Sequence, residues 1–156
     1  MKLMDLLGNA EKQDMFRISK NESIPYRGKK KHAKQMSKHE IDCIFKKLKS
    51  VKKWEIHSHT FRRIKEKGID VTYDDVVSTI YNSKLIEYHI AKLSNGEKDY
   101  RVLLRGNKSV NGNNNVNFVY SLTRELIVSS WLNDISDKHS TLDWNDYDER
   151  LKITII

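Results

Sequence analysis

Residues 84–106 read KLIEYHIAKLSNGEKDYRVLLRG. Leu85, Glu87 and His89 alternate with Ile86, Tyr88 and Ile90, the period of two that places successive side chains on opposite faces of a strand. Tyr100, Val102 and Leu104 alternate in the same way with Arg101, Leu103 and Arg105. Between the two runs stands Asn95-Gly96, a pair that adopts positive φ cheaply and so favours a tight hairpin. The stretch therefore predicts two antiparallel strands.

The pattern continues toward the C-terminus. A polar loop, NKSVNGNNN (107–115), leads into VNFVYSL (116–122) and LIVSSWL (126–132), with a turn at Thr123-Arg124. Four strands joined in sequence predict an antiparallel meander.

Helical spacing appears on the N-terminal side. In SKHEIDCIFKKLKSV (37–51), Ser37 and Glu40 have capping-box spacing, and Ile41, Ile44, Phe45 and Leu48 recur along one helix face. A second helix is expected in HSHTFRRIKEKGI (57–69), with Phe61 and Ile64 inward and Gly68 as its stop. A third is expected from Thr72 to Asn82. The expected fold class is α+β, with helices packed on one face of a four-stranded antiparallel meander sheet.

The net charge of +8 is unevenly placed. Residues 1–53 carry 15 Lys+Arg against 6 Asp+Glu, residues 54–134 carry 11 against 10, and residues 135–156 carry 3 against 5. This divides the chain into a basic extension (1–35), mobile or ordered by a protein partner, a domain (36–134) and an acidic tail (135–156). A basic arm suits an acidic partner, and nucleic acid, RNA rather than DNA, is the expected one. Arg27, Lys29, Lys30, Lys31, Lys34 and Lys38, with Arg101 and Arg105 on the sheet, are its expected contacts.

The candidate chemistry lies in the second helix. Its residues His59, Arg62, Arg63 and Lys65 sit within one short helix, His59 and Arg63 one turn apart. A histidine exchanges protons near neutral pH, and an arginine beside it can hold a phosphate. Cleavage of RNA by its own 2′-hydroxyl needs those two roles and no metal. The plainer reading, a solvated helix face, stands beside it. Metal sites are not expected, since Cys43 is single and no helical His pair has ligand spacing. No cofactor is expected either, because phosphate-loop, dinucleotide and nucleophile-elbow glycine patterns are missing. A lone cysteine, no leader-like apolar segment and no long apolar run suggest a reducing, intracellular compartment and no membrane span, and the Lys/Asn-rich composition suits the cytoplasm of a bacterial host cell, or a phage particle.

From Trp54 to about Leu132 the chain resembles a small bacterial and phage domain family of unknown function that reads H-A-x-x-R-M-x-E-R-G-I before a four-stranded sheet. The matching residues are His59, Arg63, Glu66, Gly68 and Ile69, followed by Val76 and Ile86-Glu87-Tyr88. Thr60, Ile64 and Lys67 depart from that pattern. That family is similar to the RelE-like ribonucleases, which include barnase-like and colicin-type toxins. The resemblance implies a RelE-like fold and a toxin-like, metal-independent endoribonuclease. A non-catalytic module that binds nucleic acid or protein, such as a phage particle component or host-interacting factor, is the alternative.

Overall fold

The computed structural model describes residues 16–19, 28–51, 54–66, 79–110, 112–139 and 142–155. Seven strands form one mixed sheet: β1 (Phe16–Ser19), β2 (Lys30–His32), β3 (Trp54–His57), β4 (Ser83–Lys92), β5 (Lys98–Gly106), β6 (Asn114–Ser121) and β7 (Leu126–Asp134). Their spatial order is β1-β3-β7-β6-β5-β4-β2. The expected four-stranded antiparallel sheet with helices on one face is therefore corrected. Three further strands widen it, and β1–β3 and β3–β7 run parallel. The RelE-like architecture implied by the resemblance is overturned with it.

The helices also depart from expectation, because they sit on opposite faces. Helix α1 (Lys38–Lys49) is capped by Ser37, whose hydroxyl accepts the Glu40 N–H while Glu40 accepts the Ser37 N–H. Its buried Ile44 and Leu48 meet Tyr88, Val102, Leu104, Phe118, Tyr120 and Ile127 in the core. Helix α2 (Ser58–Glu66) lies on the other face, where the Thr60 hydroxyl donates to the Val128 carbonyl at 2.7 Å. The helix expected from Thr72 is helical at 79–81, and its start lies outside the described residues.

Two irregularities set which side chains face which way. The β4–β5 register shifts between Leu85 and Glu87, which puts Leu85 opposite Leu104 in the core and Glu87 on the other face. A second shift falls at Val119/Tyr120. Such bulges swap the facing of everything on one side of them.

The segment after β7 wraps the sheet. It lies first on the polar face, pairs at Tyr147 with Lys30 of edge strand β2, and donates the Asp148 N–H to the Lys30 carbonyl at 2.8 Å. It then passes to the apolar face, where Leu151, Ile153 and Ile155 pack on the core and the Leu151 carbonyl accepts from Lys31 Nζ. Among the described residues no helix is long and apolar enough to cross a membrane.

Candidate functional site

The face opposite the core is polar because of its register. Lys30, His89, Arg101 and Ser121 stand opposite one another across β2, β4, β5 and β6. The next row on that face is His32, Glu87, Leu103, Val119 and Ser129. Above this floor lies a cavity of about 790 Å³, walled by α2 on one side and by the segment after β7 on the other.

Arg101 is 6% exposed and lines the cavity. Its Nε donates to Asp99 Oδ2 at 2.6 Å. Asp99, wholly buried, also accepts from the Ser121 hydroxyl and from Arg124 Nη2 at 3.1 Å, so one carboxylate serves two guanidinium groups. Arg101 Nη2 is buried and has no hydrogen-bond partner among the described residues.

On the helix wall, His57 precedes α2, and its Nδ1 accepts the His59 N–H at 3.1 Å, satisfying one open amide of the first turn. Burial, then the Arg101 charge, holds the His57 pKa below the ordinary histidine value. His59 is lowered as well, by burial first and then by Arg63, Arg62 and His57. Its Nε2 is buried and unpartnered among the described residues. A neutral ring in that position is ready to accept a proton.

The structure brings His59, Arg63, Lys30 and Arg101 to one cavity. Arg62 is exposed, as are Lys29, Lys34 and Lys38. The Lys65 side chain and Arg27 lie outside the described residues.

Three expected contacts have other work. Lys31 is buried against Glu40 at 3.0 Å, on the core side of the sheet. Lys30 is buried and pairs with Glu87 at 3.5 Å, within a strand rather than on a free arm. Arg105 donates to Asn115 Oδ1, to the carbonyls of Asp134 and Asp137 and toward His139 Nε2, so it anchors the segment after β7.

Sequence reasoning missed the opposite wall. Tyr147 donates its hydroxyl to Glu87 Oε2 at 2.6 Å, and Asp137, His139, Asp143 and Asp146 line the cavity. Nothing in the spacing of the acidic tail signals that placement. Asp99 was legible in principle, being two residues before Arg101 and so on the same strand face. Among the described residues no three His, Cys, Asp or Glu side chains are grouped as metal ligands. Compared with protein-family models, curated proteins and solved structures, the chain matches none.

Proposed function

We propose that this protein handles RNA, and that the cavity is a metal-independent ribonuclease site. The observation that carries the reading is the meeting in one cavity of Arg63 and Arg101 with His59, whose pKa is held low and whose Nε2 has no hydrogen-bond partner among the described residues. His59 takes the proton from a 2′-hydroxyl, whose oxygen then attacks the adjacent phosphorus. Arg63 holds the oxygens of the scissile phosphate as negative charge builds. The leaving 5′-oxygen then takes up a proton from the imidazolium formed at His59.

The test is incubation with end-labelled structured RNA in EDTA, beside His59→Ala and Arg63→Ala. The reading expects cleavage by the parent protein and its loss in both variants, with unfolding temperatures unchanged. Intact RNA at high protein concentration contradicts it.

The exposure of Lys29, Lys34 and Lys38 favours a second reading, a module that binds nucleic acid without cutting it. That reading expects salt-sensitive binding carried by those lysines and indifferent to His59.

A further inference from the structure

We infer that Arg101 anchors a terminal phosphate, so that the cavity takes the phosphorylated end of a single strand or a free nucleoside monophosphate, and not the backbone of a duplex. The inference rests on the reading of this cavity as a phosphate site and names the class of ligand.

Arg101 supplies the first argument. Its Nε is fixed by Asp99, which orients the planar guanidinium, while the buried Nη2 has no partner among the described residues. A buried charged donor left unmet is costly, and a phosphate oxygen is the acceptor best matched to the guanidinium fork. The first turn of the nine-residue α2 adds to this. His59 and Thr60 line the same cavity, and a helix N-terminus favours an anion.

Depth and size supply the second. Arg101 lies on β5, between β4 and β6, at the floor of a cavity of about 790 Å³. That volume falls in the usual range of small-ligand sites, roughly 300–1,000 Å³. One nucleotide fits, with the half-buried Trp131 in the lining as a face for its base. The paired strands of a duplex cannot follow a phosphate to that depth.

Charge supplies the third. The wall facing α2 carries Asp137, Asp143 and Asp146. A strand continuing past Arg101 toward that wall would press its next phosphate against these carboxylates. A strand that ends there, or a single nucleotide, avoids the repulsion.

The experiment is calorimetric titration of the full chain, in EDTA, with adenosine, adenosine 5′-monophosphate and adenosine 3′-monophosphate. It continues with uncleavable 2′-O-methyl single strands bearing a 5′-phosphate, a 3′-phosphate or neither, and a blunt duplex of the same sequence. At least one monophosphate should bind about tenfold or more tightly than adenosine, as one charge-assisted contact implies. Binding of the monophosphate alone identifies the free nucleotide as the ligand. Binding of a phosphorylated strand in competition with it identifies the strand end. Arg101→Lys, checked for unchanged unfolding temperature, should weaken these ligands about tenfold by losing the fork.

If that variant does not fold, Asp143→Asn with Asp146→Asn, both at exposed positions, gives a second reading. It should strengthen the unphosphorylated strand and narrow the gap to the phosphorylated one. Strands bound without regard to a terminal phosphate, a preferred duplex, or an unaltered gap in the double variant overturns the inference while leaving RNA binding intact. No binding of any nucleotide or strand overturns the underlying phosphate reading itself.

Discussion

Arg105 Nη1 stands 3.2 Å from His139 Nε2, and an arginine can only donate, so that imidazole nitrogen holds its lone pair and the ring is neutral. His139 is accordingly held below the ordinary histidine pKa, by burial first and by Arg105 next, against the opposing pull of Asp137 and Glu87. His32 and His57 are shifted in the same direction, chiefly by burial. Groups with depressed folded pKa values bind fewer protons folded than unfolded. Their contribution is therefore complete above the unfolded value of about 6.5 and is lost as pH falls from there through the depressed folded values. Thermal unfolding from pH 8 to 5 should show a level Tm down to about pH 7 and a decline below about 6.5. His139→Asn tolerates the residue's φ of 59° and removes one titrating group. It should flatten that decline, and an unaltered slope contradicts the role given to His139.

The Lys30–Glu87 pair is buried and shared with the Tyr147 hydroxyl, so Glu87 joins the edge strand, the sheet and the C-terminal segment. Removing one partner of a buried pair strands the other charge, at a cost of about 3–5 kcal/mol. Glu87→Ala should lose that much in urea unfolding. Lys30→Met combined with Glu87→Leu should recover most of it, because no charge is left unpaired.

A Cβ at Gly28 would lie 1.7 Å from the Ile90 carbonyl oxygen, which is backbone and cannot swing away. The adjacent Lys29 carbonyl accepts the Ile90 N–H at 2.8 Å. Gly28→Ala should push the chain off β4 and destabilise by about 1–3 kcal/mol. Amide hydrogen exchange should speed up first at residues 29–32. Protection unchanged there contradicts the close packing of β2.

In the core, Phe118 is almost fully buried among Val102, Leu104 and Ile44 in one cluster. Phe118→Ala should cost about 3–5 kcal/mol in chemical unfolding, the sum of lost transfer energy and a cavity. A loss below about 1 kcal/mol would show that this position is not part of a closed core.

The parts of this structure that could be read from sequence share a physical cause. Strands β4 and β5 alternate with a period of two through most of their length, broken in β4 by the shift between Leu85 and Glu87, and flank Asn95-Gly96, where Gly96 takes φ 86°. Helix α1 carries both its cap and its apolar stripe within one segment. The three short strands were not legible. Strands of three or four residues, such as KKH and WEIH, are too brief to show a period. Lys30 and Lys31 also read as solvated, because their partners Glu87 and Glu40 are distant or unremarkable in sequence.

At the site, the helix wall was legible because His59 and Arg63 are one turn apart, and Arg101 because it alternates with apolar neighbours. The wall made by Asp137, His139 and Tyr147 was not. It depends on Arg105 and Glu87 gripping a segment more than thirty residues away.

The central claim is that the cavity, not the exposed lysines, receives the phosphate. Its most direct test is the His59 ring resonances, followed by NMR through a pH titration with and without an uncleavable 2′-O-methyl strand bearing a terminal phosphate. A phosphate beside the ring favours its protonated form. The account predicts that the ligand shifts these resonances and raises the His59 pKa from its depressed value. Resonances and titration left unchanged, while the amides of Lys29, Lys34 and Lys38 move, would contradict it and place the binding on the sheet edge instead.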